Sequence, residues 1–390
     1  MAWRGRIETG GYETGDGRFE TGGTSVECGV VMAGGRTVRA QQGLLSLLSA
    51  VILPLWVSGP AFAQTAIAGA SSAAREAGRT TQPAALRWYK GNTHTHTLNS
   101  DGDTAPDEVA RWYREQGYHF LVLTDHNFLT SVDGLNALLG ADEHFVILPG
   151  EEITDRFNGA PLHINGLLVD RLVEPQGGTS VSDVIQRNVN AIRAANGIPH
   201  VNHPNFGWAV TAADLKRVKN DKLFEIYNGH PLVNNDGGGE RPGLEEMWDD
   251  ILSSGKLLFG LATDDAHHFK RPWDPTASKP GKGWVYVRAQ RLSGRAVIAA
   301  LERGDFYSST GVELSDVVFA NGRMTVTVKR DPAAKYRVRF IGKNGRVLKD
   351  VLGSPAEYVV QGTEGYVRAV VYESNGKRAW VQPVMLTPGS

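Results

Sequence analysis

The stretch Asn92-Thr93-His94-Thr95-His96-Thr97-Leu98-Asn99-Ser100-Asp101-Gly102, then a helical run, then His119-Phe120-Leu121-Val122-Leu123-Thr124-Asp125-His126-Asn127, decides how this chain is read. The imidazoles of His94 and His96 are two residues apart, the period of a strand, so they leave the backbone on one face and can converge on one ion. Neutral imidazole is the commonest metal ligand among side chains. Asp101 follows in a Ser-Asp-Gly turn, where Gly102 allows a reversal that aims the carboxylate back at the same spot. A lone His-x-His triplet is more often a pair of surface polar residues than a ligand pair. Matching clusters further along the chain reverse that balance.

Working outward, Thr104 to Tyr118 opens with Pro106 near a helix start, carries Val109, Trp112 and Tyr113 at helical spacing and stops at Gly117. His119 to Thr124 is a short apolar strand leading into Asp125 and His126, and Phe145 to Leu148 is another, ending in Pro149-Gly150-Glu151-Glu152. Strands over Leu162 to Val169, Ile198 to Asn202, Leu223 to Tyr227, Leu257 to Thr263 and Trp284 to Arg288 alternate with helices over Val181 to Asn196, Leu244 to Ser254 and Ala296 to Arg303. This rhythm of strand, polar loop and helix, repeated about seven times, predicts an α/β fold with a mainly parallel sheet or barrel. In such folds functional side chains sit where strands end, and each polar cluster falls at a predicted strand end. After about Ser315 short strands are split by the turns Asn321-Gly322, Lys343-Asn344-Gly345 and Ser374-Asn375-Gly376, which predicts a small β-sandwich-like domain over 313–390.

The 390 residues exceed one ordinary domain. A net charge of -1 gives no electrostatic sign of a nucleic-acid or membrane-surface partner. Residues 32–63 have the layout of a secretory signal: Arg36 and Arg39, an apolar run interrupted by Pro54, and Ala61-Phe62-Ala63 before Gln64. That run is short for a membrane span, so none is expected after cleavage. Residues 1–31, with repeated Glu-Thr-Gly-Gly units, read as a mis-assigned start or a disordered extension, and 64–87 as a linker. Cys28 is the only cysteine, so the mature chain has no disulfide and no thiolate. Secretion, into a bacterial periplasm or the medium, is the expectation.

Beyond the opening four residues, Glu152, His163, His203, Asp265 and His267 complete six histidines and three carboxylates. Such N/O donors suit Zn, Mn or Fe rather than calcium. Three divalent ions would bring about +6 against about -3 from the carboxylates, leaving a positive cavity suited to a small anionic ester. About three protein donors per ion leave positions for water and substrate. Glu151 competes with Glu152, which is taken as the ligand; His119, His144 and His200 are taken as structural or surface residues.

Together, THTHT with SDG, LTDHN, PGEEIT, the histidine of HINGL, VNHP and TDDAH resemble the PHP superfamily, named for polymerase and histidinol phosphatase, over 88–312. The resemblance implies a distorted (β/α)7 barrel with two or three metals at its carboxyl-end face. It implies one metal on His94, His96, Glu152 and Asp265, a second on the bridging Glu152 with His163 and His203, and a third on Asp101, His126 and His267. Some members carry histidine where Asp101 stands, which marks the third site as different in preference. FEIYNGHP, EEMWDDIL and DFYSSTG, with the β-rich tail, further resemble an exported metallohydrolase branch that includes carbaryl hydrolases.

The expected reaction is metal-dependent hydrolysis of a phosphate mono- or diester. Asp265 and His230 are the candidate catalytic residues, His230 as the acid for the leaving group; Asn228, His230, Lys270 and Arg271 are the candidate substrate contacts. The alternatives are hydrolysis of a carbamate or carboxylic ester at the same site, and a non-catalytic exported binding protein docking through its β tail to a partner the sequence does not name. No polymerase module fits the remaining length.

Overall fold

A computed structural model describes residues 85–140 and 144–386. The expected leader at 32–63, Cys28 and nearly all of the 64–87 linker lie outside the described residues. Among the described residues no helix is long and apolar enough to cross a membrane.

Strand β1 (Arg87–Asn92) ends just before the His94 pair, and helix α1 (Pro106–Glu115) follows with proline in its first turn. Asp107 and Glu108 at its start and Arg114 at its end complement the helix dipole, while Val109, Ala110 and Tyr113 are buried. The four residues of β2 (Phe120–Leu123) are all buried, as befits a strand with parallel neighbours and both faces covered. Helix α2 (Asp133–Leu139) precedes β3 (Val146–Phe157), which turns at Asn158 and Gly159, both with positive φ, into β4 (Ala160–Leu167). Then come α3 (Val181–Ala194), β5 (Ile198–Val201), α4 (Ala212–Arg217), β6 (Leu223–Asn228), α5 (Leu244–Ser253) and β7 (Phe259–Thr263). Serine 180 caps α3 by accepting from the Asp183 amide, and Thr211 with Asp214 forms a capping box on α4. Next are β8 (Trp284–Ala289), α6 (Gly294–Arg303) and β9 (Phe306–Ser309).

Strands β1 to β7 lie side by side in chain order, and β1 and β7 meet again above their ends through one parallel bridge, Thr95 to Ala266. The pairs β1–β2, β2–β3, β5–β6 and β6–β7 are parallel. The strand-helix rhythm fails at β3–β4, an antiparallel hairpin, and β4–β5 is antiparallel too. From sequence β3 stops at Leu148. In the structure it runs on to Phe157, because Pro149 still sits in register with Leu123 and Gly150 lies against Val122 where a Cβ would come within 2.6 Å. Glu152 and His163 therefore lie within long hairpin strands rather than at strand ends.

The tail forms β10 (Leu314–Ala320), β11 (Arg323–Val328), β12 (Tyr336–Gly342), β13 (Arg346–Leu352), β14 (Ala356–Val359), β15 (Tyr366–Glu373) and β16 (Arg378–Met385). Its predicted turns are present: Asn321 and Gly322 close a two-residue hairpin with φ of 50° and 68°, the positive values that right-handed strand twist favours there. Strands β10, β11 and β14 form a second sheet over β12, β15 and β16, enclosing Met324, Val326, Phe340, Val367 and Val371. The expected break near residue 312 does not interrupt the main sheet, since β16 pairs with β9 at Ala379–Ser309. Across this seam the buried Arg368 donates twice to Asp249 of α5, at 2.7 Å each, and Asp249 also accepts from Tyr366.

Candidate metal centre

The strand ends are laced together by backbone hydrogen bonds. His96 N donates to Ala266 O at 2.9 Å, Asp265 N to His94 O at 3.0 Å, and Asn127 N to Glu152 O at 2.9 Å. These bonds bring the His94-His96 segment against the Asp265-His267 segment, and His126 against Glu152. Gly102 closes the Ser-Asp-Gly turn so tightly on His96 that a Cβ there would come within 2.8 Å of its carbonyl. Asp265 has a φ of 50°, a left-handed backbone that costs a non-glycine residue on the order of 1–3 kcal/mol and is held by its surroundings.

Eight of the nine predicted ligands come together in three overlapping groups, and the ninth, His203, stands beside them, 3.3 Å from Glu152. Donor atoms of His94, His96, Glu152 and Asp265 lie within 4.8 Å of one another, as do those of His126, Glu152 and His163, and those of His96, Asp101, His126 and His267. Glu152 is the hub: its Oε2 is 3.2 Å from His94 Nε2, 3.1 Å from His96 Nε2 and 3.1 Å from His126 Nδ1. Its Oε1 is 3.0 Å from His163 Nδ1 and 3.3 Å from His203 Nε2. Asp101 is more exposed than the rest and approaches His267 Nε2 at 3.3 Å and His126 Nε2 at 3.6 Å. The grouping differs from the expected one in detail. His126 stands between the second and third groups, and His203 reaches Glu152 from the side of Asp265, whose Oδ2 lies 3.9 Å away.

Buried Glu152 Oε2 and His163 Nδ1 make no hydrogen bond among the described residues, although Oε2 lies 3.1 Å from His126 Nδ1 and His163 Nδ1 lies 3.0 Å from Glu152 Oε1. His94 Nε2 and His96 Nε2 face one another at 3.2 Å beside two carboxylates. Converging imidazole nitrogens and orphaned carboxylate oxygens, with no thiolate, fit ions of the Zn, Mn or Fe kind.

Behind the donors lies a layer that sequence reasoning missed. His94 Nδ1 donates to Glu225 Oε1 at 2.7 Å, and Glu225 also accepts from the His203 amide at 2.6 Å, Thr263 Oγ1 at 2.7 Å and Asn228 Nδ2 at 2.7 Å. A ligating histidine that gives its second ring proton to a carboxylate is fixed in tautomer and orientation. Asn202 donates to Glu152 Oε1 at 2.7 Å and to Asn165 at 2.8 Å. Asp125 collects Thr97, Ser100 and Thr130, and Asp264 accepts from Tyr113 at 2.8 Å. The available signal for Glu225 was a lone carboxylate inside the apolar strand LFEIYN, since a charge there must be paired.

Burial opposes ionisation of Glu152 and Asp265, yet the surrounding imidazoles draw both carboxyls well below their usual range. Glu225 follows the same logic, its burial outweighed mainly by His94, and lies at about 2. These carboxylates are thus ready as ligands and hydrogen-bond acceptors across the neutral range. Burial disfavours a charged His96, but Asp265 and Glu152 more than offset it and hold the ring at about 9.

The expected substrate contacts fare differently. Asn228 is buried, with its amide donating to Glu225 and, at 3.1 Å, to Asp265, and its Oδ1 accepting the His230 amide at 2.7 Å. It positions the two carboxylates rather than facing a substrate. His230 stands at the rim with its ring centroid 5.7 Å from that of His267. Its Nδ1 accepts from the Leu232 amide at 3.2 Å, which puts the ring proton of the neutral form on Nε2. Lys270 and Arg271 are both exposed, and Arg271 pairs with Asp274 at 3.6 Å instead of reaching the donors. The competition between Glu151 and Glu152 is resolved by strand alternation: Glu151 points to the opposite side and accepts from the Val173 amide at 2.8 Å. His200 is fully buried behind the centre, its Nε2 3.5 Å from Glu225 Oε1.

No family model matches the chain. Among curated proteins it is similar to a 5'-3' exoribonuclease of Haemophilus influenzae, 27% identical over 117 residues that make up 30% of this chain. The chain thereby spans 42% of that relative's length. Among solved structures it is similar to a two-domain protein of Bacteroides vulgatus containing a predicted PHP-like metal-dependent phosphoesterase, at 15% identity and TM-score 0.46, over 76% of this chain and 95% of that one. It is also similar to an amidohydrolase of Chromobacterium violaceum, at 15% identity and TM-score 0.35, over 48% of this chain and 93% of that one.

Proposed function

We propose that the chain is a metal-dependent hydrolase of a small phosphate mono- or diester. The observation that carries the proposal is the convergence of six imidazoles and three carboxylates on one end of the strand array, with Glu152 shared by two of the three donor groups. The first of these groups would hold one ion through His94, His96, Glu152 and Asp265, and the others a second and a third. When bound, such ions supply Lewis acidity and lower the pKa of water, which suits attack on phosphorus. The protein's part is to hold the ester anion against the positive cluster, with Glu225 and Asn228 keeping His94 and Asp265 in place. His230, carrying its proton on Nε2 at the rim, protonates the departing oxygen.

The exoribonuclease named above acts on a phosphodiester, which favours a phosphate ester over a carbonyl ester. With this proposal goes the reading of β1 to β7 as a distorted (β/α)7 barrel of the PHP kind. Export of the mature chain is proposed from residues 32–63 alone, and cell fractionation tests it.

The functional test combines metal analysis of protein purified without chelator with assays on p-nitrophenyl phosphate, bis-p-nitrophenyl phosphate and aryl carbamates. Expected are bound divalent metal and phosphate-ester turnover that chelation removes, metal restores and His203→Ala abolishes. Turnover of carbamates alone would replace the reaction, and a protein without metal or turnover would leave a binding role.

A further inference from the structure

One wall beside the centre is apolar. Phe206 is half-buried, and its ring centroid lies 5.2 Å from that of His203, 6.0 Å from His230 and 6.4 Å from His163. It therefore overhangs the donors from the rim. Its turn is fastened: the Phe206 amide donates to His203 O at 2.8 Å, and Asn205 donates to Asn234 O at 2.9 Å and Pro242 O at 3.0 Å. The turn also holds Trp208 at a φ of 56°, a costly conformation for a bulky residue that persists only where the surroundings impose it.

Around the same end, three exposed apolar side chains each stand two residues after a histidine of the centre or its rim. They are Leu98 after His96, Phe128 after His126 and Leu232 after His230, with 58%, 45% and 66% of their surface exposed. Trp273, 78% exposed, stands on the loop that follows His267. A scattered exposed leucine needs no explanation, but large apolar side chains on four loops around one polar cluster mark a binding surface. Of the two basic residues expected to contact substrate, Lys270 is exposed and Arg271 is engaged with Asp274.

Resting on the hydrolase proposal, we infer that the substrate is an ester whose substituent is apolar, packed against Phe206 and the rim of Leu98, Phe128, Leu232 and Trp273. The charged ester enters the histidine cluster while its aryl or alkyl group leaves water against this wall. Phe206 is on this account a specificity-determining residue and takes no part in the bond-making step.

The test is calorimetric binding of phenylphosphonate and methylphosphonate to the metal-loaded full chain, which needs no turnover. The expected result is about tenfold tighter binding of the phenyl compound, corresponding to modest apolar burial. That preference should fall to within about threefold in Phe206→Ala and be reduced in Leu232→Ala, an exposed position where folding is not at stake. Equal affinity in the wild type, or a preference that survives both variants, overturns the inference and leaves the hydrolase proposal standing. Sedimentation with phosphatidylcholine vesicles that depends on Trp273 while no phenyl preference exists assigns the rim to a bilayer and overturns it as well. If neither phosphonate binds the metal-loaded protein, the hydrolase proposal fails and the inference with it.

Discussion

The Nδ1 atom of His94 lies 2.7 Å from Oε1 of Glu225, and both side chains are completely buried. The bond turns the opposite nitrogen of His94 toward Glu152 and Asp265, at 3.2 Å and 3.3 Å. Glu225→Gln keeps the shape but offers the ring an amide, so divalent-metal affinity should fall about 10–100-fold while the fold survives. Calorimetric titration with Zn or Mn, with circular dichroism as the control for folding, checks this. Unchanged affinity would show that His94 needs no such orientation.

The three donor groups overlap unevenly, and metal stoichiometry should record the overlap. His163→Ala removes a donor from the group around Glu152 and His126, and His267→Ala one from the group around Asp101. Each should cost one equivalent of bound metal at most. Glu152→Ala strips a donor shared by two groups and should cost more than either. Elemental analysis after desalting gives the counts, and equal losses in all three variants would contradict a shared Glu152.

Asp249 and Arg368 tie α5 to β15 through two 2.7 Å hydrogen bonds in a nearly dry setting. Asp249→Ala leaves the guanidinium buried without its main counter-charge, and the expected destabilisation is about 3–5 kcal/mol. Urea unfolding measures it, while metal content of the folded protein should stay unchanged. A loss below about 1 kcal/mol would mean that Glu245, 3.5 Å from Arg368, suffices as partner.

Glu151 supplies a pH dependence separate from the metal centre. Burial raises its carboxyl from 4.5 to about 7, against the opposing Val173 hydrogen bond. A raised folded-state value means that the folded protein holds this proton more tightly than the unfolded chain. The associated stability is complete below pH 4.5 and is lost as pH rises through about 7. Glu151→Gln should therefore flatten the melting temperature across that window, as scanning calorimetry at several pH values would show. An unaltered profile would assign the dependence to other groups.

The amino-acid sequence by itself pointed to the histidines and carboxylates that the fold gathers at one end, and to the succession of most strands and helices. Both rest on local rules: the two-residue strand period that pairs His94 with His96, the 3.6-residue period of α3, and turn residues such as Asn321-Gly322. Tertiary structure alone decided the rest, because it depends on pairing between distant segments. The long β3–β4 hairpin carries Glu152 and His163 mid-strand, and its pairing depends on Pro149 and Gly150 being tolerated beside β2. Asn228 turned from an expected substrate contact into a brace because Glu225 and Asp265 reach it from neighbouring strands. The tail joined the main sheet at β9, since a strand's polar edge carries no mark in its own sequence of which partner will cover it.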